Sequence, residues 1–138
     1  MKVEKLDHVH IYSRDPAASV SYYQTHFDAV LLHQSQNIHS QTRSFLALGG
    51  QILVIGPFPP GITPSEPPKA GDGAYTHGFG VAHLGLRVRD LDVAIRELRS
   101  AGVEFIGEPA EEATGLRYAY LCAPDGVVIE LTQYGSLT

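Results

Sequence analysis

Nine residues from Asp7 (Asp7-His8-Val9-His10-Ile11-Tyr12-Ser13-Arg14-Asp15) recur at a constant offset of 75 positions as Ala82-His83-Leu84-Gly85-Leu86-Arg87-Val88-Arg89-Asp90, with His, Arg and Asp in matching places. A chain that repeats itself is constrained to build one supersecondary unit twice. Each copy opens as a strand: Lys5 to Tyr12 alternates and is rich in Val, Ile and Tyr, and Val81 to Val88 has the same character. Each strand then meets a helix start. Asp15 is a good N-cap with Pro16 at the first helical position, where its missing N–H is no loss, and Asp90 is the N-cap of the second copy. The first helix is predicted from Pro16 to about Phe27, with Ala18 and Tyr22, and Tyr23 and Phe27 beside them, on its buried side. The second carries Leu91, Ala94, Ile95 and Leu98 as its apolar stripe and ends at Gly102.

A hairpin closes each copy. Arg43 to Leu48, Gly49-Gly50 and Gln51 to Gly56 form one; Arg117 to Cys122, Pro124-Asp125-Gly126 and Val127 to Thr132 form the other. The second turn reads as a type I turn with Gly126 in the left-handed position. That register pairs Ala123 with Val127, Cys122 with Val128, Tyr120 with Glu130 and Tyr118 with Thr132. Each half therefore reads strand, helix, two or three strands. The expected fold class is α+β: a single domain over 1–138, built from two βαβββ modules at about 3–56 and 81–134. The joining segment 57–80 holds six of the nine prolines and five glycines, and reads as a connector or, functionally, a lid over a pocket.

At 138 residues and 43% hydrophobic, the chain suffices for a core without staples, and a single Cys122 excludes a disulfide framework. No apolar run reaches the length of a signal peptide or a membrane span, so a reducing cytoplasm and no membrane partner are expected. The formal charge is −5, and the ten Lys and Arg are scattered, which argues against nucleic acid as a partner. The outlying count is seven His.

Leu6-Asp7-His8-Val9 before an Asp-capped helix with Tyr22-Tyr23, then Ala82-His83-Leu84-Gly85, and last Pro124-Asp125-Gly126-Val127-Val128-Ile129-Glu130-Leu131, stand in this order and spacing. With them, nearly the whole chain resembles the vicinal oxygen chelate superfamily, which holds glyoxalase I, methylmalonyl-CoA epimerase, extradiol dioxygenases, fosfomycin-resistance enzymes and bleomycin-binding proteins. The resemblance implies a curved mixed sheet around a metal site. It makes His8, His83 and Glu130 the ligands of a divalent metal ion (Fe, Mn, Zn, Ni or Co). Two imidazoles and one carboxylate suit any of these and keep positions open for substrate oxygens or water. A carboxylate inside the apolar strand Val127 to Leu131 is costly unless it is paired, which a metal would accomplish.

Aligning the two hairpins at Gly50 and Gly126 sets Glu130 over Val54. Relatives with four protein ligands, glyoxalase I and the epimerase among them, carry Glu or Gln there, and valine cannot ligate. The three-ligand arrangement resembles extradiol dioxygenases and fosfomycin-resistance enzymes instead; the latter carry a Thr at the site of His10. Strand alternation places His10 and Tyr12 on the face of His8, and Gly85 and Arg87 on that of His83. Tyr120, beside Glu130, resembles a pocket tyrosine of many relatives and is the first catalytic candidate. His10 is the second, open between contact with substrate, support of the ligands and plain packing. His77 would reach the site only if the 57–80 segment closed over it. His26, His33 and His39 have no spacing that asks for function, Arg87 reads as a solvated rim residue, and Cys122 as a small buried thiol.

The resemblance thus implies a metal-dependent enzyme acting on a small oxygen-rich substrate, of dioxygenase or lyase/isomerase type. The alternative is a non-catalytic drug-binding protein of the bleomycin-resistance type. Small members of the superfamily are homodimers, which is the expectation here.

Overall fold

The computed structural model describes residues 1–66 and 79–135, so His77 lies outside the described residues. The chain divides into two compact units, Met1–Ser65 and Glu66–Thr138. In the first run β1 (His8–Tyr12), α1 (Pro16–Phe27), β2 (Val30–Gln36), β3 (Thr42–Leu48) and β4 (Gln51–Gly56). In the second run β5 (Leu84–Arg87), α2 (Leu91–Ser100), β6 (Phe105–Glu111), β7 (Arg117–Cys122), a single 3-10 turn (Pro124–Gly126) and β8 (Val128–Gln133). Each unit carries a four-stranded mixed sheet of the same topology, ordered β1-β4-β3-β2 and β5-β8-β7-β6. The first and last strands of each unit pair in parallel and the rest antiparallel. Both units thus have three strands after the helix. No helix among the described residues is long and apolar enough to cross a membrane.

The helix signals act as local chemistry demands. Asp15 Oδ1 accepts from Ala18 N–H at 3.1 Å, and Asp90 Oδ1 from Val93 N–H at 3.1 Å. Gly102, at φ 85°, ends α2: its N–H donates to Arg99 O and that of Val103 to Leu98 O, the double bond of a Schellman cap. The predicted stripe of α1 is corrected. Ser19, Val20 and Tyr23 are its buried residues, Ala18 is exposed, and Tyr22 and Phe27 are half-buried. A buried serine is affordable because Ser13 and Ser19 satisfy each other, Oγ to Oγ at 2.7 Å.

Both opening strands are shorter than their sequence pattern. β1 begins at His8 because β4 offers Ile52 as the first partner, and β5 begins at Leu84 opposite Ile129. Lys5 to Asp7 and Val81 to His83 extend beyond the ladder. The last hairpin has the expected register, with Cys122 opposite Val128, Tyr120 opposite Glu130 and Tyr118 opposite Thr132, and Ala123 N–H donating to Val127 O. Its turn differs: Asp125 as well as Gly126 has positive φ, 62° and 73°, where a type I turn keeps the first of these negative. Aspartate tolerates that region because its short polar side chain bonds locally.

Alternation splits each sheet into a face under its helix and a far face. Leu46, Leu53 and Ile55 form the core of the first unit with Val20 and Tyr23, as Leu121, Ile129 and Leu131 do in the second with Leu91, Ile95 and Leu98. The candidate site residues all fall on the other side.

Candidate functional site

On the far face of the β5–β8 sheet, His83 and Glu130 meet. The imidazole Nε2 stands 2.6 Å from carboxylate Oε2, and the side chains are 29% and 16% exposed. β8 sets Glu130 between Gly85 of β5 and Tyr120 of β7. Among the described residues nothing lies within 4 Å of where a Cβ on Gly85 would be, so none of them fills the flank of the carboxylate on that side. His83 precedes β5 by one residue, and its ring meets Tyr120 edge-on, centroids 5.3 Å apart at 69°. Tyr118 lies next in the row, 5.8 Å from Tyr120. Cys122 follows on the same face, half-buried; burial pushes its thiol up from the ordinary value and the Glu104 charge adds to this. Arg87 is exposed at the far end of β5, its guanidinium 4.1 Å from the Tyr134 ring centroid.

The far face of the β1–β4 sheet holds His8, His10 and Tyr12. His8 Nδ1 lies 2.8 Å from Asp7 Oδ2, a hydrogen bond that holds the Asp7 carboxyl below its usual range. The His10 ring packs on Tyr12, and Tyr12 edge-on against Phe58, each at 5.0 Å. Partial desolvation of the His10 ring, then the charges of His8 and Arg43, lower its imidazole from the ordinary value. His10 faces Val54, 2% exposed, as Gly85 faces Glu130 in the other sheet. Val54 and Glu130 therefore occupy one topological position. Arg43 of β3 also belongs to this face: a Cβ added at Gly56 would sit 3.4 Å from both Arg43 Cγ and His10 Nε2. The sequence reading passed over this arginine. Its signal was that no other Lys or Arg, and no Asp or Glu, occurs in β1 to β4.

The other histidines among the described residues have plain surroundings. His26 packs on Tyr22 at 4.7 Å, His33 stacks on Phe45 at 4.3 Å, and the His39 N–H caps Asn37 Oδ1.

Among the described residues no group of three or more His, Cys, Asp or Glu side chains is gathered as a metal site. The pairs that do form, His83 with Glu130 and Asp7 with His8, each lie within one unit. The first has the donor chemistry a divalent ion takes: an imidazole nitrogen and a carboxylate oxygen side by side, the carboxylate set among Val128, Ile129 and Leu131. Those residues fit such an ion.

Comparison with known proteins gives one family. The model of the Glyoxalase/Bleomycin resistance protein/Dioxygenase superfamily matches residues 5–131. The uncharacterized protein YaeR of Escherichia coli (strain K12) is 27% identical over 136 residues, 94% of this chain and 95% of its own. Among solved structures, the glyoxalase family protein from Enterococcus faecalis superposes with TM-score 0.74 at 23% identity, covering 94% of this chain and 97% of its own. The genomically encoded fosfomycin resistance protein FosX from Listeria monocytogenes, complexed with Mn(II) and sulfate, gives 0.68 at 17%, covering 99% and 96%. At these identities the structures speak for the fold. With a match over nearly its whole length, the chain belongs to the Glyoxalase/Bleomycin resistance protein/Dioxygenase superfamily.

Proposed function

We propose that this protein is a metal-dependent enzyme of the dioxygenase or lyase/isomerase type, acting on a small oxygen-rich substrate through His8, His83 and Glu130. The observation that carries this is the contact of His83 Nε2 with Glu130 Oε2 at 2.6 Å on the far face of the second sheet. FosX, of the same fold, was crystallised with Mn(II). Bound there, a divalent ion would act as a Lewis acid on substrate oxygens. His8 has Nδ1 engaged by Asp7, which orients its ring and makes Nε2 the ligating nitrogen. Tyr120 lies opposite Glu130, where its phenol donates a hydrogen bond to a substrate oxygen that gains charge. His10 contacts the substrate from the β1 face, and Val54 leaves the first sheet without a fourth ligand. The same reading includes a homodimer in a reducing cytoplasm.

Metal content of tag-free protein, offered Fe(II), Mn(II), Ni(II) and Zn(II) anaerobically, tests the centre. Near-stoichiometric metal is expected in the wild type, and at least tenfold less in His83→Ala and Glu130→Ala. A wild type that retains none overturns the proposal. Oxygen uptake with catechols, run beside hemithioacetal isomerisation, then separates the reaction types.

A further inference from the structure

Arg43 is the one Lys, Arg, Asp or Glu of the four strands β1 to β4, and among the described residues it has no carboxylate partner. Its Nε is buried with no acceptor, and its Nη2 donates to a neutral hydroxyl, Ser35 Oγ, at 3.2 Å. The residue is half-buried, with its guanidinium carbon 5.6 Å from the Phe45 ring centroid. A guanidinium held this way has lost part of its hydration without gaining a carboxylate, and buried donors in folded proteins are rarely left so. Gly56 supplies no side chain, and a Cβ there would press on Arg43 Cγ and His10 Nε2 alike, both at 3.4 Å. The rings of His10, Tyr12 and Phe58 continue from that point in a row with 5.0 Å steps.

We propose that Arg43, beside His10 and the Tyr12–Phe58 rings, is a recognition site for a carboxylate carried by the substrate, which is therefore a small planar or aromatic organic acid. A guanidinium donates to a carboxylate in fork geometry, one oxygen at Nε and one at an Nη nitrogen, so the orphan Nε gains its acceptor from a group that also takes an Nη hydrogen. Charge favours a carboxylate over a phosphate: a single guanidinium balances one negative charge, and these strands hold no other Lys or Arg for a dianion. The aromatic row supplies the apolar flank that a planar acid needs. As a statement about substrate, the inference rests on the proposed function, since Arg43 shares its sheet face with His8; as a statement about binding it does not.

The test uses full-length 15N-labelled protein in EDTA, titrated with benzoate and with its uncharged counterpart benzamide. Benzoate is expected to shift the Arg43 Nε–H resonance and to bind at least tenfold tighter than benzamide. Arg43→Gln should lower benzoate affinity at least tenfold, and Arg43→Lys, which keeps the charge and loses the fork, should fall between. An Arg43 resonance that benzoate does not move, or equal affinity for the two probes, overturns the inference even if the variants fail to fold. Metal content of the same wild-type protein separates the two readings. Benzoate bound at Arg43 in a protein that never retains metal would sink the metal centre and uphold this site, and metal retained without benzoate binding would do the reverse.

Discussion

Val54 and Glu130 hold the same place in two sheets of one topology, and a single side chain separates an apolar position from a carboxylate. Val54→Glu would bury a charge at a site 2% exposed. We expect it to lower unfolding free energy by about 2 kcal/mol or more in EDTA, read by urea denaturation, with part regained when metal is added. Unchanged stability would show that position 54 is not the buried counterpart of 130. Tyr120→Phe removes a hydroxyl and keeps the ring against His83. If the phenol acts on substrate, turnover drops by about a hundredfold with metal content unaltered. Cys122 gives a pH prediction with a definite sign. A thiol pushed up by burial holds less thiolate at pH 8 than an exposed cysteine, so its alkylation by iodoacetamide should be slower than that of free cysteine and rise with pH into the alkaline range.

At the scale of elements, the caps of α2 are the clearest case of sequence acting locally. Asp90→Ala removes the acceptor for Val93 N–H, and Gly102→Ala forces a Cβ into φ 85°. Each should cost about 1 kcal/mol, measured by denaturant unfolding, and the two should be additive because they sit at opposite ends of the helix. Core truncation is a larger effect: Leu131→Ala, at 0% exposure, should cost about 2–5 kcal/mol. The strands β2 and β6 were the least legible. Both are edge strands with an interrupted register, between Leu31 and His33 in one and between Ile106 and Ala110 in the other. An irregular ladder breaks the period-two pattern on which strand reading depends.

Over the whole molecule, the repeat is the organising fact: each unit has its own helix, its own four-stranded sheet and its own buried core. Exposed apolar residues of the edge strand β2, Val30 at 58% and Leu32 at 50%, accompany the proposal of a homodimer. Sedimentation equilibrium at micromolar concentration should then give twice the chain mass of 15.0 kDa, and a monomer there would contradict it. The candidate site was legible in part. His8, His83 and Glu130 came from a resemblance, and the Glu130–Tyr120 register followed from turn length alone. Arg43 went unread as a site residue because the meaning of its isolation depends on which strands share its sheet.

What the amino-acid order determined by itself was everything governed by near neighbours: two copies of one module, helices begun by Asp15 and Asp90, and the register of the last hairpin. Capping, backbone preference and turn length act over a few residues, so they are written locally. Only the tertiary structure decided which face of α1 is buried, where β1 and β5 begin, and that His83 reaches Glu130 while Arg43 finds no anion in its sheet. Those outcomes come from pairing between distant strands, which sets partners that no local pattern names.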